Sequence, residues 1–266
     1  MSPAVESERS QSETLAAAAA IAQEAGSRLL GTHEDDVVGR KEDGSVVSDA
    51  DVRSDAFIRA ALADAFPRDE VVSEEDSTMY SGGARVWVVD PLDGSANYVQ
   101  GLPVWGVSMA LVEEGRPVLA VSHFPTMALT FLAERGQGAW EGSRRLVAGD
   151  HRDTGANDLV VHCSRTTRRY EFELDVKPRI LGCASLSYAL VAAGIARASI
   201  EATARLWDLA AGWLLVEVAG GVVATLDEER VWPLTAGDYA QRGFATLAAV
   251  DRQHFDAMRA ALVARL

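Results

Sequence analysis

Residues 85–103 read RVWVVDPLDGSANYVQGLP, and the chemistry of this stretch organises the chain around it. The apolar run Val86 to Val89 predicts a strand that delivers Asp90 at its end. Pro91 and Gly94 then force a turn, and Asp93 returns toward the same point. Two carboxylates converge where water can enter. Hard cations such as magnesium take oxygen ligands in octahedral geometry, and this turn can offer two carboxylates plus the backbone carbonyl of Leu92. Asp, Pro and Gly are also the usual turn residues, so DPLDGS alone leaves a plain turn open.

Two further acidic segments flank this one. Ser73-Glu74-Glu75-Asp76 lies just before the strand and, by itself, reads as a solvated charged face. In Leu206-Trp207-Asp208-Leu209-Ala210-Ala211-Gly212, Asp208 precedes a strongly apolar helix closed by Gly220-Gly221. An acid at that position serves as a helix N-cap, or holds a cation while the small residues behind it allow close packing.

Outward from these segments, apolar spacing predicts a first helix from Glu13 to Leu30, stopped by Gly31. A second runs from about Asp49 to Phe66, with Val52, Ala56, Ala60 and Ala63 on its apolar face and Pro67 ending it. Short Val- and Leu-rich runs at 85–90, 104–112, 117–123 and 128–133 predict a sheet with tight connections. From Leu159 onward strands (159–163, 197–202, 222–226, 244–250) alternate with helices (184–193, 207–219 and one from Gln253). The expected organisation is a single domain: a loose tail at 1–12, an α+β half at 13–150 carrying the acidic turn, and an α/β half at 151–266.

Bulk composition narrows the function classes. In 266 residues, 39 Asp and Glu against 25 Lys and Arg give a net charge of −14, which disfavours sequence-independent attraction to nucleic acid or anionic membrane. Cys163 and Cys183 are too few for a disulfide scaffold and lack metal-finger spacing, which suits a reducing cytoplasm. The polar start lacks the pattern of a secretory signal, and no apolar run is long enough to predict a membrane span.

Taken in order, Glu74-Glu75, Asp90 to Asn97, and Trp207 to Gly212 with Gly220-Gly221 resemble the inositol monophosphatase family. That resemblance implies a five-layered αβαβα sandwich, a homodimer, sensitivity to lithium, and Mg2+-dependent hydrolysis of a small phosphorylated metabolite without a covalent phosphoenzyme. Two or three Mg2+ ions are implied, with Mn2+ as a substitute. By position, Glu74, Asp90, the Leu92 carbonyl and Asp93 match the ligands of a first ion, and Asp90, Asp93 and Asp208 those of a second. Ser95 matches a hydroxyl residue, usually Thr, that orients and deprotonates the attacking water with Glu74. Asp51 matches an acid associated with a third ion and the water network, and Lys41 a nearby lysine.

The backbone amides of Gly94 and Ser95, at the start of a short helix, are placed to grip phosphate oxygens. Glu201, seven residues before Asp208, matches a substrate-binding glutamate, and Gly182, Cys183 and Ala184 match the sugar-side loop. A phosphorylated polyol, inositol monophosphate above all, is the expected substrate. Cys183 replaces a common Thr, and the stretch from Arg165 to Gly182 is shorter than in typical inositol enzymes. Relatives of this fold that act on histidinol phosphate, fructose 1,6-bisphosphate or 3′-phosphoadenosine 5′-phosphate remain alternatives.

Two competing readings carry less weight. Haloacid-dehalogenase phosphatases use Asp-x-Asp-Gly-Thr with a nucleophilic aspartate, whereas the acids here are three apart with Pro91-Leu92 between them. A catalytically idle binding module has no physical need for converging acids that repel one another without a metal.

Overall fold

The structure is a computed structural model that describes residues 12–32, 38–40, 46–150, 155–173 and 175–265. Helix α1 (Glu13–Thr32) buries Leu15, Ala18, Ala22, Ala25 and Leu29, the stripe that three- and four-residue spacing dictates. It runs through Gly31, which does not stop it. Helix α2 (Asp49–Ala65) packs beside it.

Both helices cover one face of a seven-stranded sheet. Its strands are β1 (Glu70–Ser73), β2 (Arg85–Asp93), β3 (Gly106–Glu113), β4 (Arg116–Phe124), β5 (Leu129–Glu134), β6 (Gly138–Glu141) and β7 (Arg144–Arg145). They lie in chain order across the sheet, every pair antiparallel except β1 with β2. Two short helices follow in the chain, α3 (Ser95–Val99) directly after β2 and α4 (Thr166–Arg169) after the first strand of a second sheet. That sheet holds β8 (Leu159–His162), β9 (Lys177–Ile180), β10 (Ala198–Ala204), β11 (Val222–Thr225) and β12 (Phe244–Ala249), in the order β9-β8-β10-β12-β11.

Helices α5 (Ala184–Ala192) and α6 (Leu206–Val218) fill the space between the sheets, and α7 (Arg252–Ala261) covers the outer face of the second. Both central helices are mostly apolar because most of their surface is buried between the sheets. They approach closely because a Cβ on Gly212 would lie 2.5 Å from the Tyr188 ring. The layers are thus αβαβα, as expected, with a hydrophobic cluster at each of the α1/α2, α5/α6 and α7 interfaces.

One expectation about α2 is reversed. Val52, Ala56, Ala60 and Ala63 face solvent, and the buried face is Ala50, Asp51, Ser54, Asp55, Ile58 and Leu62. Polar residues occupy it because they bond to the acidic turn beneath. Strand β1 was not expected either, since only two of its residues are apolar. It pairs in parallel with β2, Ser73 opposite Val89, and so brings Glu74 alongside Asp90.

Candidate active site

Strand β2 does not end at Asp90. It continues to Asp93, with its pairing to β3 shifting between Asp90, opposite Ser108, and Asp93, opposite Gly106. That irregularity lets Leu92 N–H donate to Asp90 Oδ1 at 3.1 Å. The turn comes at Gly94, whose φ of 90° and whose space favour glycine: a Cβ there would lie 2.9 Å from the Val104 carbonyl. Next in the chain, Asn97 donates to the carbonyls of Val104 (2.7 Å) and Leu181 (2.8 Å), tying the 181–184 loop to the turn. Tyr98 lies edge-on to Trp105 and donates to the Leu29 carbonyl, anchoring α3 to α1.

Glu74, Asp90 and Asp208 converge, each offering an oxygen within 4.8 Å of the others. Burial, then the charges of Glu74, Asp93 and Asp208, push Asp90 well above the usual carboxylate range. Burial, then Asp93 and Glu74, do the same to Asp208. Such a site is short of positive charge: hard oxygen donors that repel one another, Asp90 buried and Glu74 and Asp208 half-buried, fit a divalent cation such as Mg2+ or Mn2+.

Asp208 is not the N-cap of α6. It occupies the third helical position, and the backbone N–H of the capping residue, Arg205, donates to it at 2.7 Å. Asp51 repeats this arrangement on α2, accepting from Ser48 N–H and Ser48 Oγ, both at 2.7 Å. Asp93 is drawn to a third helix start. Its Oδ2 accepts from Ser185 N–H (2.6 Å), Ser185 Oγ (2.5 Å) and Cys183 Sγ (3.1 Å), while Oδ1 accepts from Ala184 N–H at 3.1 Å. Three helix N-termini therefore point their positive ends at the acidic cluster. A carboxylate has about four lone-pair sites, so the singly bonded Oδ1 keeps capacity for a cation.

Ser95 Oγ lies 2.6 Å from Asp51 Oδ1 and 2.9 Å from the Leu92 carbonyl. Having one proton, it favours the carboxylate, which leaves the Leu92 carbonyl open to another partner. The polar face of α2 supports the turn further. Ser54 donates to the Pro91 carbonyl at 2.8 Å, and Asp55 accepts a short bond from Ser73, next to Glu74.

A cavity of about 540 Å³ opens over this cluster. Its walls include Glu74, Asp90, Leu92, Asp93, Gly94, Ser95, Gly182, Cys183, Ala184, Glu201 and Asp208. Of the other candidates, Asp51 lies beneath the wall behind Ser95, and Lys41 falls outside the described residues. Glu201, on β10, is 4% exposed, and its carboxyl is pushed up to about 8, chiefly by burial. Bonds from Ser187 and Cys163 oppose that shift, and the charge of Asp93 adds to it.

Sequence reasoning missed several parts of the site. Ser48 opens a Ser-x-x-Asp capping box, a pattern visible in the chain. Ser54, Asp55 and Ser185 carry no such pattern. Arg165 and Arg205 line the cavity, as does Cys163, whose thiol is raised first by burial and then by Glu201. Both cysteines thus line the cavity.

Fold and site together define a layered αβαβα protein with a carboxylate-walled cavity at a strand-end turn. The chain belongs to the inositol monophosphatase family, whose model matches residues 9–263. It is 37% identical over 187 residues to a Xylella fastidiosa protein named Nus factor SuhB, covering 66% of this chain and 67% of that one. Against a Thermotoga maritima fructose-1,6-bisphosphatase/inositol-1-monophosphatase it is 33% identical over 192 residues, 67% of this chain and 70% of that one. The solved extragenic suppressor protein suhB of Bartonella henselae superposes with a TM-score of 0.78 at 26% identity, over 94% of this chain and 98% of that one. The family generally uses Mg2+, and an acidic cluster of the buried Asp90 with the half-buried Glu74 and Asp208 is present here. Among the described residues no helix is long and apolar enough to cross a membrane. Net charge alone does not decide against a nucleic-acid partner in a family with members named as Nus factors.

Proposed function

We propose that the chain is a Mg2+-dependent phosphomonoesterase acting on a small phosphorylated polyol, with inositol monophosphate the leading candidate. The observation that carries this is the convergence of Glu74, Asp90 and Asp208 within 4.8 Å on the wall of a cavity that Glu201 also lines. Asp93 Oδ1 and the Leu92 carbonyl, on the same turn and lining the same cavity, would add to the oxygen set. When bound there, the metal would lower the pKa of a water, offset phosphate charge and stabilise the leaving alkoxide.

The chain's own groups supply the rest. Ser95 donates its hydrogen bond to Asp51, so its lone pairs face outward to accept a hydrogen bond from the attacking water. Glu74 fixes that water from the other side. Asp51 stands behind Ser95 as the sink toward which the proton moves. Water attacks phosphorus directly, the ester P–O bond breaks with its electron pair going to the leaving oxygen, which takes a proton from solvent to leave as the alcohol, and no residue becomes phosphorylated. The amides of Gly94 and Ser95 hold phosphate oxygens, and Glu201 meets the polyol hydroxyls beside the 182–184 loop. A homodimer and a cytoplasmic location complete this reading, on the family resemblance and on cysteine usage.

A second reading of the substrate has its own observation. Arg165 and Arg205 both line the cavity, and guanidinium groups favour a substrate with a second anionic group, such as a sugar bisphosphate. The Thermotoga relative carries both activities in its name. Mg2+-dependent phosphate release from inositol monophosphates, fructose 1,6-bisphosphate, histidinol phosphate and 3′-phosphoadenosine 5′-phosphate separates these readings. Activity on none of them, with the protein folded, removes the proposal.

A further inference from the structure

A second cavity, of about 580 Å³, lies at the other end of α6 from Asp208, between the Trp213–Glu217 stretch, the edge strand β11 and α7. In a chain of net charge −14 its walls carry five arginines: Arg116, Arg135, Arg230, Arg252 and Arg259. Only three carboxylates, Glu217, Glu228 and Glu229, share them.

Each of those carboxylates is already engaged. Arg135 grips Glu217 at 2.9 Å, Arg259 meets Glu228 at 2.6 Å, and Glu229 pairs with Arg242, which is not part of the wall. Arg252 has a 3.4 Å contact with Asp256, itself off the wall. Arg116 and Arg230 have no ion pair among the described residues. Arg252 and Arg259, seven residues apart, share one face of α7, and Arg252 occupies its first turn, where the helix dipole disfavours a cation.

Trp232 supplies an independent sign. It lines the same cavity, is 9% exposed, and its indole N–H is buried without an acceptor among the described residues. Indole N–H is a donor only, and a buried donor without an acceptor is costly. Trp213, half-buried, stands edge-on to Trp232 and adds aromatic surface. Unpaired guanidinium groups, an unsatisfied N–H and aromatic rings are what a phosphorylated small molecule needs, the rings offering stacking to an aromatic base.

We propose that this cavity is a second anion-binding site, separate from the metal cluster, that takes a small polyphosphate-bearing ligand such as a nucleotide. It is independent of the phosphatase reading, since it uses none of the same side chains.

The test is calorimetric titration of the full chain in Mg2+ with inorganic pyrophosphate, repeated with Glu74→Gln to separate binding at the acidic cluster. A saturable event that survives Glu74→Gln is expected. The double variant Arg116→Gln/Arg230→Gln, at exposed positions, should weaken that event at least tenfold while keeping the parent's melting temperature. Trp232→Phe, which removes the N–H but keeps an aromatic ring, should weaken it severalfold. The proposal fails if no saturable binding occurs, if Glu74→Gln abolishes all of it, or if it is indifferent to loss of both the arginine pair and the indole N–H.

Discussion

Ser95 donates to Asp51 across 2.6 Å, although 44 positions separate them in the chain. Asp51 is in turn fixed by both donors of Ser48, so the Ser95 hydroxyl is aimed by a preformed cap rather than by the substrate. If Ser95 passes a proton from water to Asp51, Ser95→Ala should lower kcat by roughly 10²- to 10⁴-fold with little change in KM or melting temperature. Ser95→Thr, which keeps the hydroxyl, should retain activity. Steady-state kinetics of both variants decide the matter, and near-parental turnover by the alanine variant would remove Ser95 from the chemistry.

Glu201→Gln should weaken hydrolysis of inositol monophosphate more than that of an aryl phosphate lacking ring hydroxyls. Charge-assisted hydrogen bonds contribute about 1.5 to 3 kcal/mol, and only the polyol can make them. Comparison of kcat/KM for the two esters checks this; equal losses would place Glu201 outside the substrate contacts.

Stability of the metal-free protein should fall as pH rises. Glu201 is raised from 4.5 to about 8, and Asp90 and Asp208 are raised in the same direction, all chiefly by burial. A group raised in the folded state favours its neutral form. Its contribution is whole below the unfolded value and is lost as pH climbs through the folded one. Melting temperatures in a chelator should therefore decline from about pH 5 to about pH 8, and Mg2+ should restore more at the upper end. Asp90→Asn should flatten the decline. A flat profile in the parent would mean that the acids do not repel as their packing implies.

Gly94→Ala should destabilise the fold by about 1 to 3 kcal/mol, because the residue is left-handed and its new Cβ meets the Val104 carbonyl. Urea unfolding measures this, and an unchanged midpoint would contradict the strained turn.

Much of this architecture was legible in the chain. Apolar runs marked most strands and both central helices, and the family resemblance carried jointly by the three acidic segments, none of them decisive alone, singled out Glu74, Asp90 and Asp208. What stayed hidden had physical causes. The buried face of α2 mixes Ala50, Ile58 and Leu62 with Asp51, Ser54 and Asp55, which bond to the acidic turn and its neighbours, so apolar spacing selected the wrong side. The engagement of Asp93 by α5 joins residues 90 or more positions apart, which no local pattern encodes. Arg165 directly precedes α4 and Arg205 caps α6, positions that carry no local sign of a site, and only the tertiary packing makes them cavity wall.

The central claim is that the Glu74, Asp90 and Asp208 cluster holds the Mg2+ that drives phosphomonoester hydrolysis. Its most direct test is phosphate release from inositol monophosphate by the parent and by Asp90→Asn, each with Mg2+ and with a chelator. The account predicts release by the parent in Mg2+, its disappearance on chelation, its return when Mg2+ is restored, and a loss of several orders of magnitude in Asp90→Asn. Release that persists in the chelator, or that Asp90→Asn leaves intact, would contradict it.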